Sequence, residues 1–145
     1  MIMEDEMGEN IRLRWLSSLF ELSHIQFQRK VWFGLIEKYA CSYTEAVCRY
    51  YDDLDLENDL KSFMEEGFIN KTEYEIVNQF HKDLTSYIKK QENKDVVEGN
   101  LVNDRTWIGL MDEGEKMWLM LKATITNERE IACVHELEKH IYNYG

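Results

Sequence analysis

Apolar residues recur along this chain at intervals of three and four, the spacing that lines one face of an α-helix. Ile11, Trp15, Leu19 and Leu22 form the first such stripe. Ser23 with Gln26 reads as a capping box, in which two side chains satisfy free backbone N–H groups at a helix start, and it opens a second helix. The second stripe, Phe27, Val31, Trp32, Leu35, Ile36 and Tyr39, is broad enough for deep burial. Ser42 with Glu45 repeats the capping pattern before Tyr43, Val47, Tyr50 and Leu54. Leu56, Leu60 and Phe63 continue on a short helix. It should stop at Gly67, where glycine accepts the left-handed cap and Phe68 folds back toward Phe63.

Thr72 with Glu75 is expected to open the next helix, along Val77, Phe80, Leu84, Tyr87 and Ile88. The period is lost over residues 89–100, "KKQENKDVVEGN", the best candidate for a long loop. Asp104 can cap a helix carrying Trp107, Leu110, Met111, Met117, Trp118, Leu121 and Ile125. Gly109 and Gly114 weaken that helix, and a hairpin turning at "DEGE" is the rival reading. The sustained three-four spacing favours helix. Asn127 with Glu130 then starts a last helix through Ile131, Val134 and Ile141. The pattern predicts an all-α fold, a single domain over residues 1–145 built as a bundle of six or seven helices.

Composition agrees. The 145 residues include no proline and seven glycines, which suits helices joined by short connections, and 44% are apolar, enough for a sizeable core. The longest apolar stretches, such as "MWLML" at 117–121, are far too short to span a membrane. The start, "MIMEDEMGEN", carries four acids and no base, the opposite of a secretory leader. A cytoplasmic protein with no membrane contact is expected. Cys41, Cys48 and Cys133 are odd in number and lack metal-binding spacing, and read as small buried hydrophobes in a reducing compartment.

Charge changes the picture more. With 28 acids against 17 bases, the formal net charge is −11. That repels nucleic acid and anionic membrane and attracts basic partners. Lys71, Lys82, Lys89, Lys90 and Lys94 are interleaved with acids, so no basic recognition helix for DNA is visible.

The candidate chemistry is thin. "YYDDLDLENDL", residues 50–60, packs Asp52, Asp53, Asp55, Glu57 and Asp59 into eight positions. Asp53, Asp55 and Glu57 alternate as calcium-loop ligands do, but Asn58 stands where the loop needs glycine and Met64 where it needs a bidentate Glu. "HELEKH", residues 135–140, separates its histidines by five positions, about 140° around a helix, so they cannot share one metal. Glu21 and His24 make a single ExxH with no second copy, and His81 stands alone. No nucleophile elbow and no phosphate-binding glycine loop occurs. No catalytic residue, metal or cofactor is expected, and the chain is not read as an enzyme.

The acidic run therefore stands out. From Asp52 to Glu66 there are seven acids against one base, Lys61. Capping a helix at Leu60 uses one or two carboxylates, and the rest repel one another. Tyr50 and Tyr51 beside the run would supply an aromatic anchor within a charged rim. Tyr50, Tyr51, Asp52, Asp53, Asp55, Glu57 and Asp59 form the candidate partner-binding set.

The stretches "SFMEEGFINKTEYEIVNQFHKDLTSYI" and "NLVNDRTWIGLMDEGEKMWLMLK", within residues 62–122, give the chain a further bearing. With its small, acidic, helical character, the chain resembles bacterial immunity proteins of contact-dependent growth inhibition systems. The resemblance implies binding and neutralisation of a cognate toxin domain, often a nuclease. No residue role carries over, because no family motif is matched. A nuclease carries a positive groove for phosphates, which an acidic inhibitor can occupy. The alternatives are a helical enzyme or regulatory subunit with a pocket under Trp32, Trp107 or Trp118, and an acidic DNA-mimic adaptor. A homodimer through exposed aromatics is also open.

Overall fold

The computed structural model describes residues 2–31, 43–52, 54, 60–91 and 104–142. Seven helices occupy them: α1 (Ile2–Glu21), α2 (Ile25–Val31), α3 (Tyr43–Tyr51), α4 (Leu60–Glu65), α5 (Lys71–Gln91), α6 (Arg105–Lys122) and α7 (Glu128–Tyr142). No strand occurs among the described residues, and the fold is the expected all-α bundle. None of these helices is long and apolar enough to cross a membrane.

The first stripe is the heart of the core. Trp15, Leu16, Leu19, Phe20 and Leu22 are all fully buried. Around them α5 packs most extensively on α6, while α1 touches both α3 and α7. The hairpin reading of "DEGE" fails, because α6 runs unbroken through both its glycines. Gly114 explains its own presence. A Cβ there would lie 2.8 Å from the Phe80 ring and 2.9 Å from Ser23 Cβ, so glycine lets α6 press against α5 and the α1–α2 turn. Gly109 faces open space.

Several helix ends follow the sequence. Gly67 has φ 90°, and the N–H groups of Phe68 and Gly67 donate to the carbonyls of Phe63 and Met64, with the Phe63 and Phe68 rings 5.1 Å apart. Asp104 Oδ1 accepts from Thr106 N at 2.9 Å, and Asn127 Oδ1 accepts from Arg129 N at 2.9 Å. Two other ends differ. Ser23 caps nothing ahead of it: buried at the end of α1, it turns back to the Phe20 carbonyl and His24 Nδ1. The box expected at Thr72 and Glu75 forms two residues earlier, where Asn70 N donates to Glu73 Oε1 at 2.9 Å and Asn70 Oδ1 accepts from Glu73 N at 2.8 Å. Helix α5 also runs on to Gln91, past the expected loop start, with Lys89 and Lys90 complementing its negative end. The rest of that loop lies outside the described residues.

One guanidinium ties these ends together. Arg12 donates to both carboxylate oxygens of Glu73 and of Glu130 at 2.7–3.0 Å, and to the Phe68 carbonyl at 2.6 Å. All five of its N–H groups are used. Elsewhere Gln28 Nε2 donates to the Glu21 carbonyl and Gln28 Oε1 accepts from Trp107 Nε1, each at 2.8 Å. The cysteine expectation is corrected at Cys48, which is exposed on the outer face of α3, while Cys133 is half-buried and Cys41 lies outside the described residues.

The two glycines of α6 predict opposite responses to the same substitution. Gly109→Ala should stabilise the protein by about 0.5–1 kcal/mol, since alanine is the better helix former and meets no neighbour. Gly114→Ala should destabilise it by roughly 1–2 kcal/mol, because overpacking against Phe80 and Ser23 exceeds that gain. Urea denaturation of both variants reads the sign. Equal effects at both positions would show that α6 does not depend on this close approach.

Candidate partner-binding surface

Tyr50 and Tyr51 end α3, and their periodic neighbours decide where they point. Tyr50 continues the stripe of Tyr43 and Ala46 and is fully buried, with its hydroxyl 2.9 Å from His81 Nδ1. Tyr51, 7% exposed, sits edge-on to Tyr50 and meets Thr85 Oγ1 at 2.8 Å. Because Thr85 Oγ1 already donates to the His81 carbonyl, Tyr51 is the donor in that pair. Burial raises both phenols, that of Tyr51 to about 12, so they stay neutral. The anchoring role expected for Tyr50 and Tyr51 is therefore corrected. Their rings face inward and fasten the start of the acidic run onto α5, leaving neither ring as a surface for a partner.

Of the five acids, Asp52 is described. It is exposed, immediately beyond α3, and its backbone N–H donates to the Cys48 carbonyl at 2.8 Å. Asp53, Asp55, Glu57 and Asp59 lie outside the described residues. Leu54, within the run, and Leu60, just after it, are both buried. At the end of α4, Glu65 and the next residue, Glu66, are exposed beside the Gly67 cap.

A second acidic locus was missed. Asp83 of α5 and Glu113 of α6 are close enough to share a hydrogen bond, and desolvation together with Asp83 pushes the Glu113 carboxyl up to about 7. Glu115 is also raised, by desolvation and by Asp112. No sequence pattern signals this pair, because it depends on how α5 and α6 align across the Gly114 contact. Large apolar side chains also reach solvent, Ile108, Leu119 and Met120 on α6 and Ile131 on α7, and of these Leu119 and Ile131 line one pocket. Ile131 was expected to face the core.

The histidines divide by burial. His24 is stacked on Phe20, with its Nδ1 3.0 Å from the Phe20 carbonyl, and burial lowers it to about 4. His81 is buried beside Tyr50, and His135 is exposed. No group of three metal-ligating side chains gathers among the described residues. Trp107 and Trp118 are packed in the core with their indole N–H groups bonded to Gln28 and Glu138.

No protein-family model, curated protein or solved structure matches this chain.

The raised Glu113 makes stability depend on pH in a defined direction. Between its ordinary value of 4.5 and about 7, the folded protein holds a proton that the unfolded chain has released. The stabilisation is complete below that window and is lost as pH rises through 7. His24 acts oppositely: its contribution is present above its ordinary value of 6.5 and is lost as pH falls toward 4. The Glu113→Gln variant isolates the first effect. Its melting temperature should exceed the parent's at pH 8, and the advantage should shrink by pH 5. The same difference at both pH values would show that Glu113 does not titrate between them.

Proposed function

We propose that this chain is an inhibitory binding protein of the immunity type, which neutralises a basic toxin domain, a nuclease being the expected target. The observation that carries this reading is where the described acids sit on their helices. Asp52 follows the last residue of α3, and Glu65 and Glu66 close α4. At those ends unpaired backbone carbonyls already concentrate negative charge, so a carboxylate is disfavoured there. The base available in the last turn of α3, Arg49, is directed to Glu21 at 3.5 Å instead.

Folding alone gives no reason for this arrangement. A basic partner does, since it relieves the repulsion on docking. With Tyr50 and Tyr51 committed to the core, the acidic surface works by charge: it speeds encounter and selects a positive face. Tight hold must come from elsewhere, and the exposed apolar residues of α6 and α7 offer the described contact of that kind. The reading assigns no catalysis to the chain.

Native purification should therefore yield a stoichiometric complex with a strongly basic protein. The triple variant Asp52→Asn, Glu65→Gln, Glu66→Gln should associate with that protein more slowly at low salt and equally fast at high salt, where screening already acts. Alone, it should melt no lower than the parent, and roughly 1–3 °C higher if the helix-end repulsion is relieved. Recovery of a bound metabolite or an acidic partner, or identical association at every salt concentration, would overturn the proposal.

A further inference from the structure

The lysines of this protein fall into two groups. Lys71, Lys116, Lys122 and Lys139 each hold a carboxylate within 4.0 Å. Lys61, Lys82, Lys89 and Lys90 hold none among the described residues, in a chain with 28 acids, and the first three line one groove. That groove, about 520 Å³, runs between α4 and α5, and no carboxylate is among its described lining residues.

Its floor is built, not incidental. His81 and Thr85 form part of it, and both are fixed from behind by Tyr50 and Tyr51 at 2.9 and 2.8 Å. Such bonds hold the groove in shape before anything binds, which lowers the cost of ordering it. Along one face of α5, Tyr74, Asn78, Lys82, Ser86 and Lys89 follow at helical spacing, and Lys61 stands across from them on α4. At 1.5 Å per residue, Lys82 and Lys89 lie about 10 Å apart along the axis, with Tyr74 about 12 Å before Lys82. Along α5 an aromatic ring, an amide and two ammonium groups with a hydroxyl between them form an ordered sequence of chemistries, and a third ammonium, Lys61, lines the groove from α4.

The geometry points to a binding site for a nucleoside polyphosphate, with phosphates on Lys61, Lys82 and Lys89 and the base against the partly exposed Tyr74. Three cations in one groove with no carboxylate partner among the described residues repel each other, and an anion spread over several oxygens neutralises all three. Ser86 can donate to a phosphate oxygen, and the Asn78 amide can donate to or accept from ribose hydroxyls. The net charge of −11 opposes any anion at long range, but screening over about 8 Å leaves the groove's own charges dominant. The site does not rest on the function proposed above.

Calorimetric titration of the full chain with ATP and with inorganic tripolyphosphate, free of divalent metal, tests it. ATP should bind more tightly than tripolyphosphate. The Lys82→Gln, Lys89→Gln variant should weaken both by about tenfold or more. Tyr74→Ala should weaken ATP to the level of tripolyphosphate and leave tripolyphosphate unchanged. Lys116→Gln, Lys139→Gln, which removes two paired lysines elsewhere, is the control for general charge, and circular dichroism checks that every variant is folded. Lack of ATP binding at millimolar concentration overturns the proposal, as does equal weakening in the control variant. Indifference of ATP binding to Tyr74→Ala would overturn the nucleoside assignment.

Discussion

Arg12 is the residue on which the arrangement of the bundle depends. It lies on α1, yet its partners are 56, 61 and 118 positions away, at the α4 cap, the start of α5 and the start of α7. Glu73 and Glu130 are both third residues after an asparagine cap, so each carboxylate also lies at the positive end of its helix. Both glutamates are buried, at 2% and 7% exposure, and without the guanidinium two like charges would face each other out of water. Breaking such a pair from one side typically costs about 3–5 kcal/mol. The three helices can therefore meet in one register, with Arg12 between the two carboxylates.

That same interaction accounts for what the sequence disclosed and what it concealed. Helices bounded by a local signal were legible: Gly67 with Phe68, Asp104 and Asn127 each act within a few residues of themselves. Asn70–Glu73 and Thr72–Glu75 both satisfy the capping pattern, and local chemistry does not choose between them. Arg12 chooses, by drawing Glu73 inward. Ser23 was misread for a similar reason, since Gly114 and Phe80 close over it and leave its hydroxyl only the turn behind it. In the candidate site, Tyr50 already belonged to a core stripe, and periodicity was the better guide to it than its acidic neighbours. Tyr51 is held by Thr85, 34 positions away, a contact no local pattern contains.

Charge was the least legible property, because a net figure averages over faces that behave differently. The acids at the ends of α3 and α4 add to the negative helix ends, and Asp83 with Glu113 is forced together by the α5–α6 contact. Lys82 and Lys89, interleaved with acids in sequence, both line the groove between α4 and α5, and no acid is among its described lining residues. A chain of −11 thus still gathers three lysines along one groove.

Trp15, Trp107 and Trp118 are each at most 1% exposed, and Phe20 and His24 press edge-on against Trp118 at 5.3 and 5.6 Å. These indoles are shielded from solvent. Their fluorescence is thereby an internal gauge of the folded state: a blue-shifted emission that reddens on unfolding, and that a ligand resting on the exterior leaves largely untouched.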